Sequence, residues 1–139
     1  MNPFLKYRVV LTLTALSLLG FGIAFLVSPR AMTGDFGITL SGTDAVADVC
    51  AVYGGFEIGM GLFLLWTVKN TAWLKAGLVA ATLSLCGFMC GRIFGIVSEG
   101  HPTSATFRLL AVDVAGALLN SVFLLLFLRA EKRAAGSPG

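Results

Sequence analysis

Glu57, Arg92 and Asp113 are charged residues standing inside long apolar runs: YGGFEIGMGLFLLW (53–66), LSLCGFMCGRIFGIV (83–97) and LLAVDVAGALLN (109–120). A charge held near the middle of a bilayer costs about 2.5–3.5 kcal/mol on insertion scales, so each needs a partner. Arginine suits the centre of such a group, because its planar guanidinium can serve two carboxylates. The expectation is a Glu57–Arg92–Asp113 cluster. Tyr53 and Asn120 would be its polar neighbours: Tyr53, Glu57 and Gly61 share a stripe at four-residue spacing, as do Asp113, Gly116 and Asn120 on another helix. Two acids and one base leave one negative charge over. In a low-dielectric site that excess is relieved by a proton held on one carboxyl, by a bound cation, or by Arg108 reaching in. A carboxyl poised in this way is what proton coupling or general acid–base work uses. The structural alternative is an ion network that only locks helices together.

The elements that must position these residues follow from composition. The 139-residue chain is 57% hydrophobic and only 12% charged, with a mean hydropathy of +0.90. Soluble domains carry about 25% charged residues. The fold class expected is therefore all-α: a four-transmembrane-helix bundle forming a single domain over residues 1–129. The spans are placed at about 9–27, 45–68, 72–98 and 104–128, each long enough for the roughly 20 residues a bilayer crossing needs. A flexible polar tail is expected over 130–139. The first run follows Lys6 and Arg8 but is longer than a signal-peptide core and has no A-x-A-like cleavage site, so it reads as a retained span.

Punctuation between the runs supports those limits. Ser28-Pro29 ends the first run, with Pro29 pre-set for the first turn of a short helix. Gly34, Gly37 and Gly42 break regular structure in the connection that follows, and Phe36, Ile38 and Leu40 are expected to dip into the membrane interface. Thr43 and Thr71 are the expected N-caps of the second and third spans. Gly100 and Pro102 stop the third. At about 1.5 Å per residue, the three charges lie about 9–18 Å from the ends opposite the termini, at broadly similar depth.

Lys6, Arg8, Lys69, Lys75, Arg129, Lys132 and Arg133 all fall on one side of a four-span topology, and the positive-inside rule places that side and both termini in the cytoplasm. Trp66 and Trp73 sit at the same boundary, where indole rings favour the headgroup level. Gly55 and Gly59 form a G-x-x-x-G motif, and Gly87, Gly91 and Gly95 a double one. Small residues four apart let helix backbones approach; these stripes are expected to be contact faces, within the bundle in preference to between protomers.

Several function classes have no support. Cys50, Cys86 and Cys90 are an odd count without framework spacing, and read as small packing residues. Neither Cys50 nor His101 completes a zinc site with the Cys86/Cys90 pair, so no metal and no cofactor is expected. His101 reads as a solvated loop residue. The basic pI near 9.0 reflects topology and not nucleic acid, since the cations cluster at the ends of apolar runs. No phosphate loop, H-E-x-x-H, nucleophile elbow or dinucleotide fingerprint is present.

DVCAVYGGFEIGMGLFLLW (48–66), GRIFG (91–95) and EGHP (99–102) resemble the domain of unknown function 4345 family of small bacterial four-helix membrane proteins, over about residues 45–128. The family pattern often has an arginine just before the YGG stretch, where this chain has Asp48, Cys50 and Ala51, and a glutamate in the last helix, where it has Asp113. The resemblance implies the fold and a bacterial inner-membrane, multi-pass location, and implies no reaction. Three functions are compatible with the residues. The first is binding of an apolar, lipid-like ligand or a membrane partner, a second copy included, through an outer-leaflet cavity at the charge cluster. The second is proton-coupled transport. The third is a membrane-embedded lipid isomerase, which leaves open whether the protein is an enzyme.

Overall fold

The computed structural model describes residues 3–136. Four helices are long and apolar enough to cross a membrane: α1 (Leu5–Val27), α3 (Gly42–Lys69), α4 (Thr71–Glu99) and α5 (Ser104–Ala135). A short α2 (Pro29–Gly34) lies between the first two. Helices are the natural choice for such runs, because each satisfies its own backbone hydrogen bonds where no water is present.

The helix ends follow local chemistry. The Ser28 N–H closes α1 onto the Ala24 carbonyl, and Pro29 opens α2 in its first turn. Gly37 and Gly42 take positive φ (+74° and +80°), which turns the chain back into α3. The expected cap Thr43 lies inside that helix: Ser41 is the N-cap and makes no side-chain capping bond. Asn70, not Thr71, caps α4, its Oδ1 accepting the Ala72 N–H at 3.0 Å. Gly100 (φ +67°) and His101 (φ +48°) end α4 in the left-handed region. Thr103 caps α5, its Oγ1 accepting the Thr106 N–H at 3.3 Å.

The fourth helix outruns the expected span. Residues 130–135 continue α5 where a flexible tail was anticipated. A Lys75–Glu131 ion pair at 2.8 Å fastens that extension to α4, and Lys132 and Arg133 complement the helix dipole in the last turn. Residues 137–139 of the expected tail lie outside the described ones.

The bundle is built from two close helix pairs, α1 with α3 and α4 with α5. The packed core sits where the pairs meet near the termini. Tyr7, Leu11, Leu64, Leu74 and Leu78 interlock there, with Phe123 and Phe127 edge-on to the Tyr7 ring. Trp66 and Trp73 lie against each other at this end, ring centroids 4.8 Å apart.

Close approach uses other glycines than the motif glycines. A Cβ on Gly22 would lie 2.9 Å from the Gly54 carbonyl oxygen, and one on Gly61 would lie 3.0 Å from the Ala15 oxygen. Gly77 admits the Thr67 side chain at the α3–α4 turn. By contrast, a Cβ on Gly59, Gly87, Gly91 or Gly95 would meet nothing within 4 Å, and one on Gly55 only the Cys50 oxygen of its own helix at 3.8 Å. Within the chain these stripes are not contact faces. The reason is rotational: α3 turns Gly61 to α1, and α4 turns its Gly87–Gly95 face away from α5.

Candidate functional site

Residues Cys50–Phe56 of α3 form a π-helical stretch. Widening a helix by a π turn re-aims the side chains on either side of it, and such segments are frequent at functional sites. It brings the half-exposed Tyr53 and the buried Glu57 to the same cavity wall. Tyr53 stacks on Phe25 of α1, centroids 5.2 Å apart. Glu57 is 8% exposed, and its Oε2 is buried without a hydrogen-bond partner.

Arg92 and Asp113 face Glu57's helix from the other pair. Arg92 Nε donates to Asp113 Oδ2 at 2.6 Å. The expected three-way cluster is therefore split: Arg92 serves Asp113, and among the described residues no ion pair reaches Glu57. The cause is the pairing of helices, which lays α4 along α5 and leaves α3 across a gap. Arg108 does not complete the site either; it is exposed and off the cavity wall.

That gap is a cavity of about 570 Å³ running from mid-bundle to the end away from the termini, with Tyr53, Glu57, Arg92, Asp113 and Asn120 all on its wall. Asn120 is fully buried. Its Nδ2 donates to Thr14 Oγ1 at 3.1 Å and to the Gly116 carbonyl at 3.0 Å. It thus ties α5 to α1 at the cavity floor instead of joining the ion pair. Phe36 and Ile38 contribute to the cavity wall, Ile38 remaining exposed, while Leu40 is buried. Arg30 Nη1 donates to the Leu40 carbonyl at 2.5 Å and fastens this connection.

Sequence reasoning missed Thr14, Thr33 and the aromatic wall of Phe25 and Phe88. The signal available was slight: Thr14 is one of three hydroxyl residues, with Thr12 and Ser17, in an apolar span. Cys50, Cys86 and Cys90 are free thiols, and among the described residues no three His, Cys, Asp or Glu side chains gather in a metal-binding arrangement.

A family model, Domain of unknown function (DUF4345), matches residues 7–125. The chain belongs to that family. No curated protein and no solved structure matches it. The DUF4345 match contains the whole cavity, since its lining residues run from Leu13 to Asn120. Chemically, this DUF4345 cavity offers an apolar space, one carboxylate oxygen lacking a donor, and an ion pair whose remaining guanidinium N–H groups are open to an acceptor.

Proposed function

We propose that this protein binds a small apolar, lipid-like molecule in the cavity between its two helix pairs. The carrying observation is the cavity itself. At about 570 Å³ it falls within the roughly 300–1,000 Å³ of small-molecule sites, which are typically apolar with a few convergent polar groups. Leu18, Phe21, Phe25, Phe88 and Leu119 supply the apolar wall, and Glu57 with the Arg92–Asp113 pair supplies the polar groups. The setting proposed is the bacterial inner membrane, with both termini in the cytoplasm. The cluster of cations near the termini supports that orientation, and it directs the cavity toward the outer leaflet.

The test is to purify the protein in its native lipid and to identify retained molecules by mass spectrometry. Wild type is compared with Ser17→Trp, which adds bulk at the cavity wall. A distinct molecule held by wild type and lost from the variant is the expected result. The same bulk phospholipids in both would refute a ligand cavity.

A further inference from the structure

The charges on the cavity wall do not balance, and the imbalance has a location. Arg92 is committed to Asp113 through Nε. Arg30, at the same end of the bundle, is committed to the Leu40 carbonyl, and Arg108 lies off the wall. The other polar groups near Glu57 on this wall, Thr14, Ser17, Tyr53, Thr106 and Asn120, are neutral. Glu57 thus faces the cavity from α3 with a buried oxygen that no group among the described residues serves. A buried carboxylate without a partner is strongly unfavourable; a proton on it or a cation placed against it removes the penalty, and an ammonium group brings the charge and the N–H donors together. The space around it is apolar and aromatic, with the stacked Phe25–Tyr53 rings beside the carboxylate's own helix turn. Aromatic faces attract organic cations. An anionic head could reach the N–H groups that Arg92 leaves open, but two carboxylates against one guanidinium give the wall a net negative charge that opposes it.

We propose that the cavity's ligand is a cationic amphiphile, an apolar body carrying one amine-type nitrogen that donates to the Glu57 carboxylate. This rests on the cavity being a ligand site, and the experiment separates the two. Binding of dodecylamine and of dodecanol, which share one apolar chain, is measured to the full-length protein in nanodiscs of zwitterionic phospholipid. Wild type, Glu57→Gln and Ser17→Trp are compared in identical discs, so that partition into lipid cancels.

The amine is expected to bind wild type at least about tenfold more tightly than the alcohol, the scale of one hydrogen bond to a charged group. Glu57→Gln is expected to erase that difference, and a melting temperature in the same discs no lower than that of wild type shows the variant folded. Equal affinity of both probes for wild type overturns the cationic ligand and leaves the apolar cavity standing. An amine preference that survives in Glu57→Gln overturns it too. Binding of neither probe above the level of Ser17→Trp overturns the cavity as a ligand site altogether.

Discussion

Arg92 holds Asp113 at 2.6 Å, and in doing so leaves Glu57, on the opposite helix pair, with no cation partner among the described residues. Those two facts have one cause. Helices α4 and α5 lie along each other, so a side chain from one reaches the other at short range, whereas α3 lies along α1. The ion pair belongs to the α4–α5 unit, and Glu57 belongs to the cavity.

Breaking the pair on one side should cost more than removing it. Arg92→Gln and Asp113→Asn each leave a charge unmatched, and buried pairs broken in this way lose roughly 3–5 kcal/mol. Arg92 is partly exposed to the cavity, which places the loss at the lower end. The double variant Arg92→Met/Asp113→Leu is expected to recover most of it. Thermal or denaturant unfolding of the four proteins in one detergent gives the cycle.

Glu57→Gln should behave in the opposite sense. It removes a charge whose oxygen has no donor, and unsatisfied buried groups cost about 1–3 kcal/mol. The ligand-free variant is expected to melt at or above the wild-type temperature. A clear drop would mean that Glu57 has a partner within the fold.

The glycines divide into two classes. Gly22→Ala and Gly61→Ala push a methyl against a neighbouring helix's backbone oxygen, and overpacking of this kind costs about 1–3 kcal/mol. Gly91→Ala and Gly95→Ala meet nothing within 4 Å and should gain up to about 1 kcal/mol from helix propensity. Melting temperatures of the four single variants decide it. A loss at Gly91 accompanied by a change in oligomer mass would place that face in a contact between copies.

Thr14 and Asn120 satisfy each other across the α1–α5 contact. Thr14→Val leaves the fully buried amide short of one partner, at a cost of about 1–3 kcal/mol. Thr14→Val/Asn120→Leu replaces both partners by apolar groups and is expected to be less harmful than the single change. Unfolding of the two variants side by side tests the sign.

The sequence alone determined what depends on local order along the chain. Continuous apolar runs give four spans because an isolated span must satisfy its own backbone hydrogen bonds. Pro29 and Gly100 mark helix limits because their backbone preferences act within one turn. The cost of an intramembrane charge singled out Glu57, Arg92 and Asp113, and all three lie on one cavity. What required tertiary structure was which helix lies against which. In a membrane, packing is not driven by apolar periodicity, since lipid is as apolar as a neighbouring helix. The motif at Gly87–Gly95 therefore carried no information about its partner, while the isolated Gly22 and Gly61 mark the true close approaches. The π-helical stretch at Cys50–Phe56 re-aims a face that four-residue spacing predicts only for a regular helix. Whether Arg92 served Glu57, Asp113 or both was likewise undecidable from spacing, because the fork of an arginine reaches only what the helix beside it presents.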